Sequence, residues 1–229
     1  RPTETPEQKK AREAQAAQVK ATGFMPLFTH TDLSVCTNVL KASYDAGVRL
    51  FEFTNRNENS FDIFCALRKY CNDSLPGMIL GIGTIKNAQQ AEKFIAAGAD
   101  FLISPMILEE INEVAVKNQK LWMPGCATPS EIGLAENWGI NIVKIFPARQ
   151  LGGPAYIKAV RAVFPTIQFM ATGGVEPTQD DIASWFKSGV SAVGIGSQLF
   201  PPAWLANGQY DLVTDHIKKI IQYIHHSKE

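Results

Sequence analysis

A strand-like run followed by a helix-like run recurs eight times along this chain, and that rhythm leaves few folds open. The strand candidates are residues 24–28, 49–54, 78–83, 100–104, 121–124, 142–146, 167–171 and 191–196. The amphipathic segments that follow them are 32–45, 59–71, 87–97, 108–118, 129–137, 153–163, 177–187 and 210–226. Several segments open on helix-start chemistry, as in Thr128-Pro129-Ser130-Glu131 and Glu176-Pro177-Thr178. Four close on similar words: Asp45-Ala46-Gly47-Val48, Ala96-Ala97-Gly98-Ala99, Asn137-Trp138-Gly139-Ile140 and Lys187-Ser188-Gly189-Val190. Each places glycine where a helix ends in a left-handed turn, then an apolar residue entering a strand. Strands alternating with helices throughout predict a parallel sheet of the α/β class. Eight repeats without a break in composition predict a closed (β/α)8 TIM barrel. An open doubly wound sheet would more typically carry a G-x-G-x-x-G turn after its first strand, and Gly23-Phe24-Met25-Pro26 stands there instead.

Residues 8–20 read as one additional helix, placed either under the barrel floor or outside the barrel. The expected organisation is an N-terminal helical extension, 1–22, and one barrel, 23–229. The 229 residues suit it, since single α/β barrels run to about 200–250 residues. With 22 basic and 22 acidic residues, the formal charge is zero, which gives no electrostatic case for nucleic acid or an acidic membrane surface. No apolar run approaches the roughly 18 residues of a spanning helix, and the polar, Ala- and Gln-rich start lacks the apolar stretch of a signal peptide. The four cysteines form no C-x-x-C pair, and reduced thiols in a cytoplasmic protein are expected. Three of the four histidines fall in the C-terminal segment, so no metal site is expected.

Lys144 stands inside the apolar run Ile142-Val143-Lys144-Ile145-Phe146. Lysine is rarely buried without a partner, and burial disfavours its charged form. A neutral amine attacks carbonyl carbon and gives a Schiff base. The plainer alternative is a lysine that snorkels from the strand end to solvent. Glu52 lies between Phe51 and Phe53, and alternation puts it on the opposite face from both. With the phenylalanines outward, Glu52 points into the barrel as a general acid/base of raised pKa, or as a structural partner of a core cation. Arg56, just past the strand, can hold a carboxylate bidentately. Thr172-Gly173-Gly174 and Gly194-Ile195-Gly196-Ser197 end strands seven and eight, where barrels commonly cradle phosphate on exposed backbone N–H groups; two tight turns without a ligand are the alternative. Amine, carboxylate, guanidinium and phosphate cradle together describe a phosphorylated 2-keto acid and carbon–carbon chemistry through an enamine.

These words, with Gly81-Ile82-Gly83-Thr84, Phe101-Leu102-Ile103-Ser104-Pro105, Pro124-Gly125 and Phe146-Pro147-Ala148, follow one another in an order and spacing that resembles the class I aldolases of 2-keto-3-deoxy-6-phosphogluconate (KDPG) and 4-hydroxy-2-oxoglutarate (KHG). The likeness runs from about Gly23 to Phe200. It implies Lys144 as the Schiff-base lysine and Glu52 as general acid/base. It implies Arg56, Thr84 and Thr172 around the pyruvoyl carboxylate and carbonyl, and Gly173, Gly174, Gly196 and Ser197 at the phosphate. It also implies a keto-acid substrate, no metal or organic cofactor, and a homotrimer.

The chain departs from the family pattern at Phe28-Thr29-His30, where an arginine is common, at Ala171 for proline, at Arg149 and at Ser197-Gln198. Arg149 is expected either to meet a distal anion or to lie in solvent. The preferred aldol substrate, and phosphate against carboxylate as its distal group, stay open. So do a phosphosugar isomerase or synthase barrel without a covalent intermediate, and a non-catalytic barrel that binds a sugar acid.

Overall fold

Strands whose side chains alternate faces sort their residues into two cores, and the barrel is built from that sorting. The computed structural model describes residues 4–229; the first three residues of the expected 1–22 extension lie outside it. Eight strands close into a parallel barrel in chain order: β1 Phe24–Phe28, β2 Leu50–Thr54, β3 Ile79–Gly83, β4 Phe101–Ser104, β5 Leu121–Cys126, β6 Ile142–Ile145, β7 Gln168–Thr172 and β8 Ala192–Ile195. The helices are α1 Pro6–Thr22, α2 Leu33–Asp45, α3 Ser60–Ser74, α4 Ala88–Ala96, α5 Glu109–Lys117, α6 Pro129–Asn137, α7 Pro154–Val163, α8 Gln179–Ser188, α9 Pro202–Ala206 and α10 Tyr210–Lys228. The sequence rhythm is thus the observed fold. The fifth strand is longer than expected, and a 3-10 turn, Ser197–Leu199, with the short α9 fills the stretch between β8 and α10. No helix among the described residues is long and apolar enough to cross a membrane. All four cysteines are free thiols.

Local chemistry starts and stops these helices as the sequence implies. Thr128 caps α6 by accepting the Glu131 N–H, and the Glu131 carboxylate returns to the Thr128 hydroxyl at 2.6 Å. Thr178 accepts the Asp181 N–H at the start of α8, and Asp32 accepts from Ser34 and Val35 at the start of α2. At the far end of α8, Gly189 takes φ 106°, a conformation that a side chain would strain.

The outer core lies between strands and helices. It takes Phe51 and Phe53 from β2, Val143 and Ile145 from β6, and Phe169 and Ala171 from β7. The inner core fills the lower barrel with Met25, Leu50, Phe101, Ile103, Leu121, Met123, Ile142, Met170 and Ala192. Ala16 and Val19 of α1 belong to this inner cluster, so the extra helix plugs the barrel floor. Polar contacts seat it: the Gln15 side chain accepts the Leu121 N–H at 3.0 Å, and Arg12 donates to the carbonyl of Gly139 and, at 2.6 Å, to the side-chain oxygen of Asn141. With α1 across the floor, the larger openings of the interior among the described residues lie at the C-terminal ends of the strands.

Candidate active site

Two residues beyond the inner core on β2, β6 and β7, the inward positions turn polar. Leu50 is followed by Glu52 and Thr54, Ile142 by Lys144, and Met170 by Thr172. The outward neighbours of Glu52 and Lys144 lie in the outer core, so both side chains point inward. Glu52 is 1% exposed and Lys144 is 5% exposed. The lysine therefore does not snorkel to solvent. In the closed ring, β2 and β6 are four strands apart in either direction, and the two groups occupy opposite walls.

Burial pushes the Lys144 pKa below the usual lysine value; the Glu52 charge opposes that shift and the Arg56 charge adds to it. Burial raises the Glu52 pKa, against the pull of Lys144 and Arg56. Neither Glu52 oxygen has a hydrogen-bond partner, and the hydroxyls of Thr54 and Thr172 are buried and equally unpartnered. Buried polar atoms are normally paired, and a set of orphans facing one well is the arrangement of a site shaped for a ligand's own donors and acceptors. Lys144 Nζ lies 4.8 Å from the centre of the Phe146 ring.

Glycines make the room. In register, Thr54 pairs with Gly83 and Lys144 with Gly125. A Cβ on Gly83 would stand 1.7 Å from Glu52 Oε1, so the carboxyl occupies the space that glycine leaves. A Cβ on Gly81 would lie 2.1 Å from the Phe101 ring. Both glycines make room for neighbouring side chains. Thr84 follows at φ 60°, a left-handed conformation uncommon for a β-branched residue and of the kind that gathers at functional sites.

Above the well, the mouth divides into two lobes that share Leu27, Arg56 and Ser197. The smaller, about 210 Å³, is lined by Thr172, Gly173, Gly174, Gly194, Gly196 and Ser197 among others. The structure thus gathers the two glycine turns and Arg56 around one opening. The larger lobe, about 500 Å³, lies toward Phe28, His30, Phe200 and α9. Thr84 sits beside the β2 end and lines neither lobe. Arg149 does not face the opening. Its Nη2 donates to both Asp181 oxygens at 2.6 and 2.7 Å, and its Nε donates to the Gly174 carbonyl at 2.8 Å. Asp181 also accepts from the Glu176 N–H and the Trp185 indole. Arg149 is exposed, as one expectation had it, and it also braces the β7 loop, which neither foresaw. Thr54 and Gly83 are the site positions that sequence reasoning did not assign.

Residues 16–216 match the family described as KDPG and KHG aldolase. This chain belongs to that family. It is accordingly an aldolase, a lyase of the aldehyde-lyase type, and the (β/α)8 barrel is the form expected of it. Among its relatives, the KHG/KDPG aldolase of Escherichia coli K12 is 32% identical over 208 residues, spanning 90% of this chain and 95% of that protein. A 2-dehydro-3-deoxy-phosphogluconate aldolase of Dickeya dadantii is 35% identical over 87% of this aldolase and 91% of its own length. The crystal structure of the Legionella pneumophila KDPG aldolase, with pyruvate captured as a covalent carbinolamine, superposes with a TM-score of 0.80. It is 26% identical and covers 93% of this chain and 97% of that one.

Proposed function

We propose that this aldolase cleaves KDPG to pyruvate and glyceraldehyde 3-phosphate, and 4-hydroxy-2-oxoglutarate to pyruvate and glyoxylate, through a Schiff base on Lys144. The observation that carries the reading is the amine and the carboxyl, both buried, facing each other across the well. A lysine whose ammonium is disfavoured by burial is available as a nucleophile. It adds to the C2 carbonyl of the keto acid, and the carbinolamine loses water to give an iminium. That cation draws the electrons of the C3–C4 bond as the C4 hydroxyl gives up its proton, releasing the aldehyde and leaving an enamine. Glu52 is placed to take and return these protons, and its raised pKa suits it to both directions. Protonation at C3 and hydrolysis then free pyruvate and restore the amine.

Arg56 and the unpartnered Thr172 hydroxyl suit the keto-acid carboxylate and carbonyl, and Thr84, which follows Gly83 beside the β2 end, is the third group of that reading. Gly173, Gly174, Gly196 and Ser197 suit the distal phosphate. The reading calls for no metal or organic cofactor. The assembly it favours is a homotrimer in the cytoplasm, checked by light scattering for three times the 25.2 kDa chain mass.

The test is reduction with borohydride in the presence of pyruvate, followed by peptide mapping. A stable adduct on Lys144, lost in Lys144→Ala together with pyruvate release from both substrates, is the expected result. Turnover by wild-type protein without any trapped adduct would overturn the covalent mechanism in favour of an electrostatic lysine.

A further inference from the structure

The larger lobe of the mouth is out of proportion to a two- or three-carbon aldehyde. Its volume of about 500 Å³ falls in the range of sites for whole drug-sized ligands. Its walls are Leu27, Phe28, Val35, Phe200, Pro202 and Leu205. Phe28 and Phe200 meet edge to face with ring centres 5.0 Å apart, and the His30 ring stacks on Phe28 at an interplanar angle of 7°. These rings make a rigid aromatic wall. Two of the polar groups along its outer wall are occupied, while the Thr54 hydroxyl at the inner end has no partner. Thr29 donates to the Thr54 carbonyl and accepts from the Asn57 amide, and His30 Nδ1 accepts the Asp32 N–H. Among the described residues, Arg56 is the one charged side chain of the lining. A phosphate has its glycine turns in the other lobe; the donors here, Arg56 with the Ser197 and Thr54 hydroxyls, sit at the edge shared with that lobe and the well, and the remaining wall is apolar.

Resting on the reading above, we propose that the apolar lobe is an acceptor subsite, and that this aldolase also joins pyruvate to uncharged aldehydes carrying an aromatic or comparably bulky apolar group. The lobe shares Thr54 and Arg56 with the catalytic well, so an aldehyde carbon at its inner end reaches the enamine while its ring lies against Phe28 and Phe200. In the joining step, C3 of the enamine on Lys144 bonds to the aldehyde carbon. The carbonyl electron pair moves to oxygen, which takes one proton, and the enamine nitrogen becomes an iminium. Water adds to that iminium and expels a 4-hydroxy-2-keto acid, restoring the amine with no net oxidation or reduction.

The experiment measures pyruvate release from 4-hydroxy-4-phenyl-2-oxobutanoate, whose other product is benzaldehyde, beside release from 4-hydroxy-2-oxoglutarate. Expected is a kcat/KM for the phenyl substrate at least about one tenth of that for the dicarboxylate, since a filled apolar pocket favours its ligand by factors of that order. A smaller value, in protein that still traps pyruvate on Lys144, overturns the subsite. Filling the lobe with Leu205→Trp, or with Ala206→Phe at an exposed α9 position, should lower the phenyl-to-dicarboxylate ratio by about tenfold. An unchanged ratio in both variants would place the ring elsewhere and defeat the assignment. Loss of pyruvate trapping in the wild type is a separate outcome, and it defeats the covalent reading itself.

Discussion

Lys144 and Glu52 each shift the other's ionisation against the effect of burial. Burial pushes the lysine down, Glu52 pulls it up and Arg56 pushes it down again. Removing the carboxylate charge with Glu52→Gln should therefore lower the lysine pKa further, and the rising limb of imine formation with pyruvate should move to lower pH. Arg56→Met removes a downward push, and its limb should move to higher pH. Single-turnover trapping across pH checks both signs, and limbs that move in the same direction would contradict the electrostatic picture. Turnover by Glu52→Gln should fall by roughly 10²–10⁴-fold whatever the limb does. Both groups were legible in the sequence because each is the wrong chemistry for its surroundings: a lysine in an aliphatic run and a glutamate between phenylalanines. Thr54 was not. A strand threonine is ordinary, and only its lack of partners, a three-dimensional fact, singles it out.

Between single residues and the barrel stand the strand ends and their loops. Gly83→Ala inserts a methyl where the Glu52 carboxyl lies, so kcat should drop by about tenfold or more while the fold persists, since one displaced general base is enough to slow proton transfer. Circular dichroism and pyruvate release on the same preparation separate the two effects. Arg149→Ala releases the Gly174 carbonyl and leaves Asp181 without its cation. The KM for the phosphorylated substrate should rise several-fold, with pyruvate trapping little changed, because the β7 loop loses its brace. Asp181→Asn should reproduce part of that effect; a change confined to kcat would count against it. The helix boundaries could be read in advance because capping is local chemistry: Thr128 with Glu131, and Gly189 after α8. The separate uses of Gly81 and Gly83 could not. Which side chain fills the space over a glycine depends on the neighbouring strand, Phe101 from β4 in one case and Glu52 from β2 in the other.

On the scale of the molecule, the barrel is a one-ended vessel. α1 stops its base with little more than Ala16 and Val19, so the helix looks polar on nearly every side and its position could not be chosen from its sequence. Val19→Ala should cost about 2 kcal/mol in urea unfolding, from two lost methyl groups and the cavity they leave. A cost near zero would mean that the floor is closed without it. The eight-fold alternation was plain because every repeat had to satisfy the same packing. α9 was not visible, because a five-residue helix shows too few turns for a period to emerge. The placement of amine and carboxyl on opposing walls reaches beyond rate. A flat enamine tethered from one side shows the proton donor a single face. A keto acid carrying deuterium and tritium in one fixed arrangement at the third carbon would then take its solvent proton on one side and yield a methyl group of one handedness.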